Sequence, residues 1–254
     1  MRRRTALAVL GTALSAGLTG CHDDPDPSVL RVGTEGTYPP FSVRGPGGAF
    51  TGYDIEVADA VGARLGKRVE FTQAWLRHGL VDGLASGVFD LLASHIELTL
   101  GIDEQLGTAG VYATGGRVFL TLPGAEPVAD PARLRGRTAV RWNPSDWPGL
   151  HPEDLGATVV EARTLDDAVR LLREGGADVV PADSLAVADY RTRTRDNTLI
   201  ATPYPDYTPG YTFVTRKHDP LAPEVRRALA ELRADGTLRT ISERYFGVDV
   251  TPAD

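Results

Sequence analysis

The sequence predicts an α/β fold in which mostly parallel sheets carry helices on both faces. Three observations predict it. Short apolar runs of strand length recur, such as VLRVGT at 29–34 and FDLLAS at 89–94. Between them lie stretches with apolar residues in helical period; Leu165, Ala168, Val169 and Leu172 are the clearest case. The two patterns alternate along nearly the whole chain, with Gly and Pro at the joins and no internal repeat.

Taken in order, VLRVGT is a strand, and FSVRGPGGAFTGYD at 41–54 is a hairpin-like excursion turning at Gly45 to Gly48. YDIEVADAVGARLGK is a helix with Asp54 as N-cap, a stripe of Ile55, Ala58, Val61 and Leu65, and Gly66 as its stop. RVEFTQ is a strand, GLVDGLASG a short helix, FDLLAS a buried strand and GGRVFLTL a further strand. In the second half RTAVRW, TVVEA, ADVVPADS and YTFVTRK read as strands. TLDDAVRLLREGG, LAVADYRTR, APEVRRALAELRADG and TLRTISERYFG read as helices. In such sheets ligands bind beyond the carboxyl ends of the strands, where EGTYPPF (35–41) and ADS (182–184) both fall.

The first twenty residues are not expected to belong to the folded body. MRRR is a short basic start, and the apolar, small-residue stretch after it is too short for a transmembrane helix. LTGC at 18–21 has the form of a lipobox, a bacterial lipoprotein acylation signal, with Cys21 as the lipidated residue. The alternative is an ordinary signal peptide with an incidental cysteine. Cys21 is the sole cysteine, so no intrachain disulfide is possible. Residues 21–28 then form a polar tether.

Without the three N-terminal arginines, 24 of the 27 basic residues face 34 acidic ones, a charge of −10. Such a charge argues against nucleic acid as a partner and suits a body held off an anionic membrane. Roughly 225 residues remain, enough for one large domain or two modest lobes.

Five stretches make the reading specific. VGTEGTYPPFS, GYDIEVADAV, GLASGVFDLLAS, GGADVVPADS and ALAELRADGTLRTISERYFG occur in this order from about Leu30 to Gly247. Together they resemble the bacterial extracellular solute-binding proteins of family 3, partners of ATP-binding-cassette importers of polar amino acids. The resemblance implies a periplasmic-binding-protein type II fold: two lobes joined by two hinge crossovers, closing on a ligand. Lobe one would span 29–115 plus 213–254, and lobe two 116–212. It also implies an extracytoplasmic monomer, lipid-anchored through Cys21, that passes a small polar solute to a permease and ATPase and needs no cofactor.

Site residues follow from the same resemblance, each beside a plainer role. Tyr38 and Phe41 match positions lining the family's pocket, or else they cap the core of lobe one. Asp183 matches the acid that takes the ligand's ammonium, and it is equally placed to N-cap the next helix. Ser94, Glu97 and Thr99 could contact ligand. The family pattern at 95–102, glycine, any residue, threonine, isoleucine, threonine, proline, glutamate, arginine, is broken here. Aligned through Thr99, its carboxylate-binding arginine falls at Ile102, which cannot form the two parallel hydrogen bonds of a guanidinium. Arg77 could supply a cation instead, with Trp75 taking a stacking role; the alternative is a solvated loop arginine. In VRWNPSDW, Arg141 and Trp142 could face the cleft, although Arg141 could equally face solvent, while Asn143 would cap a helix N-terminus that attracts anions.

Enzyme readings are weak. No G-x-S-x-G, H-E-x-x-H, C-x-x-C, P-loop or G-x-G-x-x-G occurs, and His78 and His95 alone define no metal spacing. The same fold carries cyclohexadienyl dehydratases, which would need a general acid such as Glu97. A ligand-sensing receptor module is a third class.

Overall fold

The computed structural model describes residues 26–75, 79–98, 106–142, 151–204 and 208–252. The chain enters through β1 (Val29–Thr34) and a three-stranded hairpin layer, β2 (Thr37–Tyr38), β3 (Ser42–Arg44) and β4 (Phe50–Thr51). Helix α1 (Tyr53–Arg64) leads to β5 (Arg68–Gln73), and the short α2 (Val81–Ala85) to β6 (Leu91–Glu97) and β7 (Gly107–Thr114). A second run follows: β8 (Arg117–Thr121), β9 (Thr138–Arg141), β10 (Thr158–Glu161), α3 (Leu165–Arg173), β11 (Val180–Asp183), α4 (Ser184–Thr194) and β12 (Ile200–Pro203). The chain then returns through β13 (Gly210–Thr215) and closes with α5 (Leu221–Ala234) and α6 (Thr237–Phe246).

The two sheets repeat one plan. The first has the order β5-β1-β6-β13-β7, with β13 antiparallel to both neighbours and the other described pairings parallel. The second is built from β10-β9 and β11-β8-β12, linked by a parallel bridge between Ala139 and Val179. Here β8 is the reversed strand. The reversed strands, β13 and β8, each follow a passage of the chain from the other sheet. The mostly parallel plan expected from the alternation is therefore present twice. The hydrogen bonds place β13 in the first sheet from Gly210 onward.

Local sequence explains most elements. The stripe Leu165, Ala168, Val169 and Leu172 is the buried face of α3, and Thr164 caps that helix by accepting from the Asp167 N–H at 3.1 Å. Each large apolar side chain so buried contributes about 1.5–3 kcal/mol. In α1, Ile55, Ala58 and Val61 are buried as the stripe requires, but the N-cap is Gly52. Asp54, read from the sequence as the cap, lies inside the helix and turns its carboxylate into the core.

Besides the two-residue β2, two strands escaped the sequence reading. GTAGVYAT, which forms β7, is poor in branched residues. Its glycines are demanded by close approach: a Cβ on Gly107 would lie 2.4 Å from the Arg216 carbonyl oxygen. Edge strand β12 ends in Pro203, and its residues show no clear alternation of burial.

Candidate ligand-binding cleft

The carboxyl end of β6 faces that of β11, and the loop after β1 faces the residue after β9. The loop after β1 is locked by its own polar groups. The Ser42 hydroxyl accepts from the Gly36 N–H at 3.1 Å and shares a 2.6 Å hydrogen bond with Thr34. Gln73 donates to the Glu35 carbonyl at 2.8 Å. The Tyr53 and Asp54 N–H groups, at the start of α1, donate to the Pro40 and Phe41 carbonyls at 2.9 and 3.0 Å. This loop holds Tyr38 and Phe41.

The two rings have different surroundings. Tyr38 is 7% exposed and stands between the sheets: its ring lies 4.9 Å from Phe41, 5.6 Å from His95 and 6.0 Å from Trp142 on the opposite side. Phe41 is fully buried, with its ring stacked at 3.4 Å on His95 and tilted against Phe246. Phe41 is the core residue of the two, and Tyr38 is the one whose ring approaches Trp142 of the other sheet. Trp142 is buried and donates its indole N–H to the Pro181 carbonyl at 3.0 Å.

Asp183 is the last residue of β11 and the N-cap of α4. Its Oδ1 accepts from the Leu185 and Ala186 N–H groups at 2.7 and 3.3 Å, so the capping alternative is present in full. Its Oδ2 points the other way, to the Tyr211 hydroxyl and to His95 Nε2 at 3.4 Å. Both of those partners belong to the first sheet. One carboxylate therefore caps a helix in one lobe and reaches across to the other.

His95, passed over in the sequence because a lone histidine carries no spacing, is at the centre of this arrangement. Counted back from Thr99, it stands where the family pattern has glycine, and its φ of +48° is in the left-handed region that favours glycine. Its ring is sandwiched between Phe41 at 3.4 Å and Tyr211 at 3.6 Å. Its backbone N–H donates to Asp54, which also accepts from the Tyr112 hydroxyl at 2.7 Å.

Burial pushes the Asp54 carboxyl above its usual range, against the lowering effect of His95 and of its two donors. An acid whose pKa is raised on folding adds stability below its unfolded value, 3.8, and loses that contribution as pH rises through the folded value. The wild-type protein is therefore expected to lose stability relative to Asp54→Asn as pH climbs from 3.8. Urea unfolding of both across pH 4–8 measures it, and a constant difference between the two would contradict the assignment.

The remaining expected contacts divide. The Ser94 hydroxyl accepts from the Glu35 N–H at 3.2 Å, which ties β6 to the Tyr38 loop. Glu97 pairs with Arg117 at 3.2 Å, both side chains mostly buried. Trp75, beyond β5, is 70% exposed. Arg141, expected as a possible cleft cation, has its guanidinium between Glu153 at 2.6 Å and Glu161 at 3.2 Å, and the two acids hold its pKa above the usual arginine value. This surface ion pairing is the plainer of its two expected roles. Cys21, Arg77, Thr99 and Asn143 lie outside the described residues.

A groove of about 370 Å³ also runs between the lobes, lined by Pro39, Pro40 and Tyr245 on one side and by Trp142, Asp189 and Arg193 on the other. Among the described residues no cluster of three or more metal-ligating side chains occurs. Among them, too, no helix is long and apolar enough to cross a membrane.

Two α/β lobes of one plan, entered by two crossovers and meeting through aromatic and carboxylate side chains at their strand ends, define a ligand-binding protein of the periplasmic type II fold. The chain belongs to the bacterial extracellular solute-binding proteins, family 3, which match it over residues 30–248. A probable amino-acid ABC transporter-binding protein of Haemophilus influenzae is 32% identical over 87% of this chain and 86% of its own length. The L-cystine-binding protein TcyA of Bacillus subtilis is 31% identical over 88% and 83%. Among solved structures, the L-cystine solute receptor of Neisseria gonorrhoeae in its unliganded open conformation is similar at a TM-score of 0.68. It is 29% identical and the match covers 89% of this chain and 95% of that one.

Proposed function

We propose that this chain captures an amino acid, or a close derivative, between its lobes and delivers it to an ABC importer. The observation that carries the reading is Asp183. Its carboxylate crosses from β11 of one lobe to the aromatic wall of the other, where an ammonium group would find charge-assisted acceptors beside Tyr38 and Trp142. The relatives named for amino acids and cystine support the ligand class. In this reading Arg77 is the replacement for the arginine lost at Ile102, and the described residues add a second candidate, Arg117. Lobe one comprises 29–115 and the return from Gly210 onward, and lobe two begins at 116. Cys21 carries the lipid that holds the protein at the outer face of the cell membrane.

The test is a thermal-shift panel on protein beginning at Asp23. It spans the amino acids with cystine, their decarboxylated and betaine derivatives, dicarboxylates, prephenate and arogenate. A specific ligand at 100 times its Kd stabilises the fold by about 2.7 kcal/mol, a readable rise in Tm. A shift confined to ammonium-bearing solutes is expected. Shifts only with prephenate, or with none of the panel, would overturn the assignment.

A further inference from the structure

We infer that His95 and Glu97 form a built-in counterpart of an α-amino acid and set the specificity of the cleft by occupying the groups a ligand would use. The inference rests on the reading that the cleft binds an amino acid. The geometry is a two-by-two arrangement. On lobe two, Asp183 and Arg117 are direct cross-strand partners on β11 and β8, an anion beside a cation. On lobe one, His95 and Glu97 are two residues apart on β6, an N–H donor beside an anion. The pairs meet in the complementary sense: His95 Nε2 lies 3.4 Å from Asp183, and Glu97 lies 3.2 Å from Arg117. In this pairing Nε2 is the donor and the carboxylate oxygen the acceptor.

An amino acid presents the same two ends, an ammonium donor and a carboxylate acceptor. Asp183 is the acceptor proposed for the first, and Arg117 is a guanidinium suited to the second. Both positions on β6 depart from the family pattern, which has glycine at 95 and threonine at 97. Glycine has no side chain to offer, and a threonine hydroxyl carries no charge to pair with Arg117. The site around them is built rather than incidental. The His95 and Asp183 side chains are each 6% exposed, and the imidazole is clamped between Phe41 and Tyr211. The backbone at His95 adopts its left-handed conformation despite the side chain.

Two consequences follow. The lobes are held together by the protein's own side chains. A simple α-amino acid must displace both pairs, so the cleft selects against it and in favour of a solute whose further groups add binding energy. This is discrimination by an internal competitor.

The experiment compares wild type with the double variant His95→Asn, Glu97→Gln. Asparagine tolerates the left-handed backbone, and glutamine keeps the shape of glutamate without its charge. Small-angle scattering reads the radius of gyration of ligand-free protein, and calorimetry reads the Kd of L-arginine and L-cystine. The expected result is an expanded ligand-free variant that binds at least one of the two about tenfold or more tightly than wild type, a gain of about 1.4 kcal/mol. An unchanged radius with unchanged Kd values overturns the inference while leaving the amino-acid reading intact. An expanded variant, with neither protein binding either amino acid, retains the interlobe pairing and defeats the amino-acid reading instead. No binding with an unchanged radius defeats both. If the double variant fails to melt cooperatively, Glu97→Gln alone carries the comparison, since it changes no side-chain volume.

Discussion

Asp183→Asn is expected to weaken an ammonium-bearing ligand by about ten- to a hundredfold while leaving Tm nearly unchanged. Hydrogen bonds to charged groups contribute about 1.5–3 kcal/mol, which gives that range of affinity. Stability behaves differently because the residue has two jobs on two oxygens. Asparagine caps helices about as well as aspartate, so the bonds from the Leu185 and Ala186 N–H groups survive. Its amide nitrogen then faces His95 Nε2, which can accept in its other tautomer, and the Tyr211 hydroxyl oxygen, which can accept instead of donating. Asp183→Ala, by contrast, removes the cap at a cost of about 1 kcal/mol and leaves the buried Tyr211 hydroxyl without this acceptor. Calorimetry for the ligand found in the panel, with thermal melts of both variants, separates the roles. If Asp183→Asn binds as tightly as wild type, the carboxylate is a helix cap and nothing more.

Gly52→Ala is expected to cost about 3–5 kcal/mol of folding stability and to weaken ligand binding as well. Gly52 has φ +129°, and a Cβ there would lie 2.3 Å from the Phe41 carbonyl oxygen, 2.6 Å from its carbon and 2.8 Å from the Pro40 oxygen. All three are backbone atoms, so no side chain can swing aside. Those two carbonyls also accept the first N–H groups of α1, bonds that join the helix to the aromatic loop. Pushing them apart unseats Phe41 from the core and moves Tyr38 away from Trp142. Denaturant unfolding reads the first effect, and the ligand's Kd the second. A loss under 1 kcal/mol would show that the loop relaxes freely and does not need glycine.

Much of the fold was legible because it is encoded at short range. The α3 stripe occupies positions that a 3.6-residue period brings to one face, and all four residues are buried. The hairpin turn at Gly45 to Gly48 forms as read, with the Gly45 N–H donating to the Ala49 carbonyl at 2.8 Å. Where reading failed, packing had overridden propensity. β7 is glycine-rich because neighbouring chain lies against it, a requirement invisible in its own eight residues. Asp54 looked like a cap by position, yet its acceptors are used by Tyr112, 58 residues away, and by the His95 backbone, 41 away.

The candidate site divides the same way. Tyr38 and Asp183 were marked by matching strand-end motifs. His95 and the Glu97–Arg117 pair were not recognised, because their meaning depends on which residues lie opposite. His95 meets Asp183 across 88 residues of chain. By itself, the sequence determined the alternating elements, the family and the strand ends where a site would form, since periodicity, turn chemistry and motif order are properties of neighbouring residues. Only the tertiary structure decided that Phe41 belongs to the core, that Arg141 pairs with surface acids, and that His95 and Glu97 occupy Asp183 and Arg117. Those outcomes depend on two crossovers bringing distant strand ends into register, and no local pattern carries that geometry.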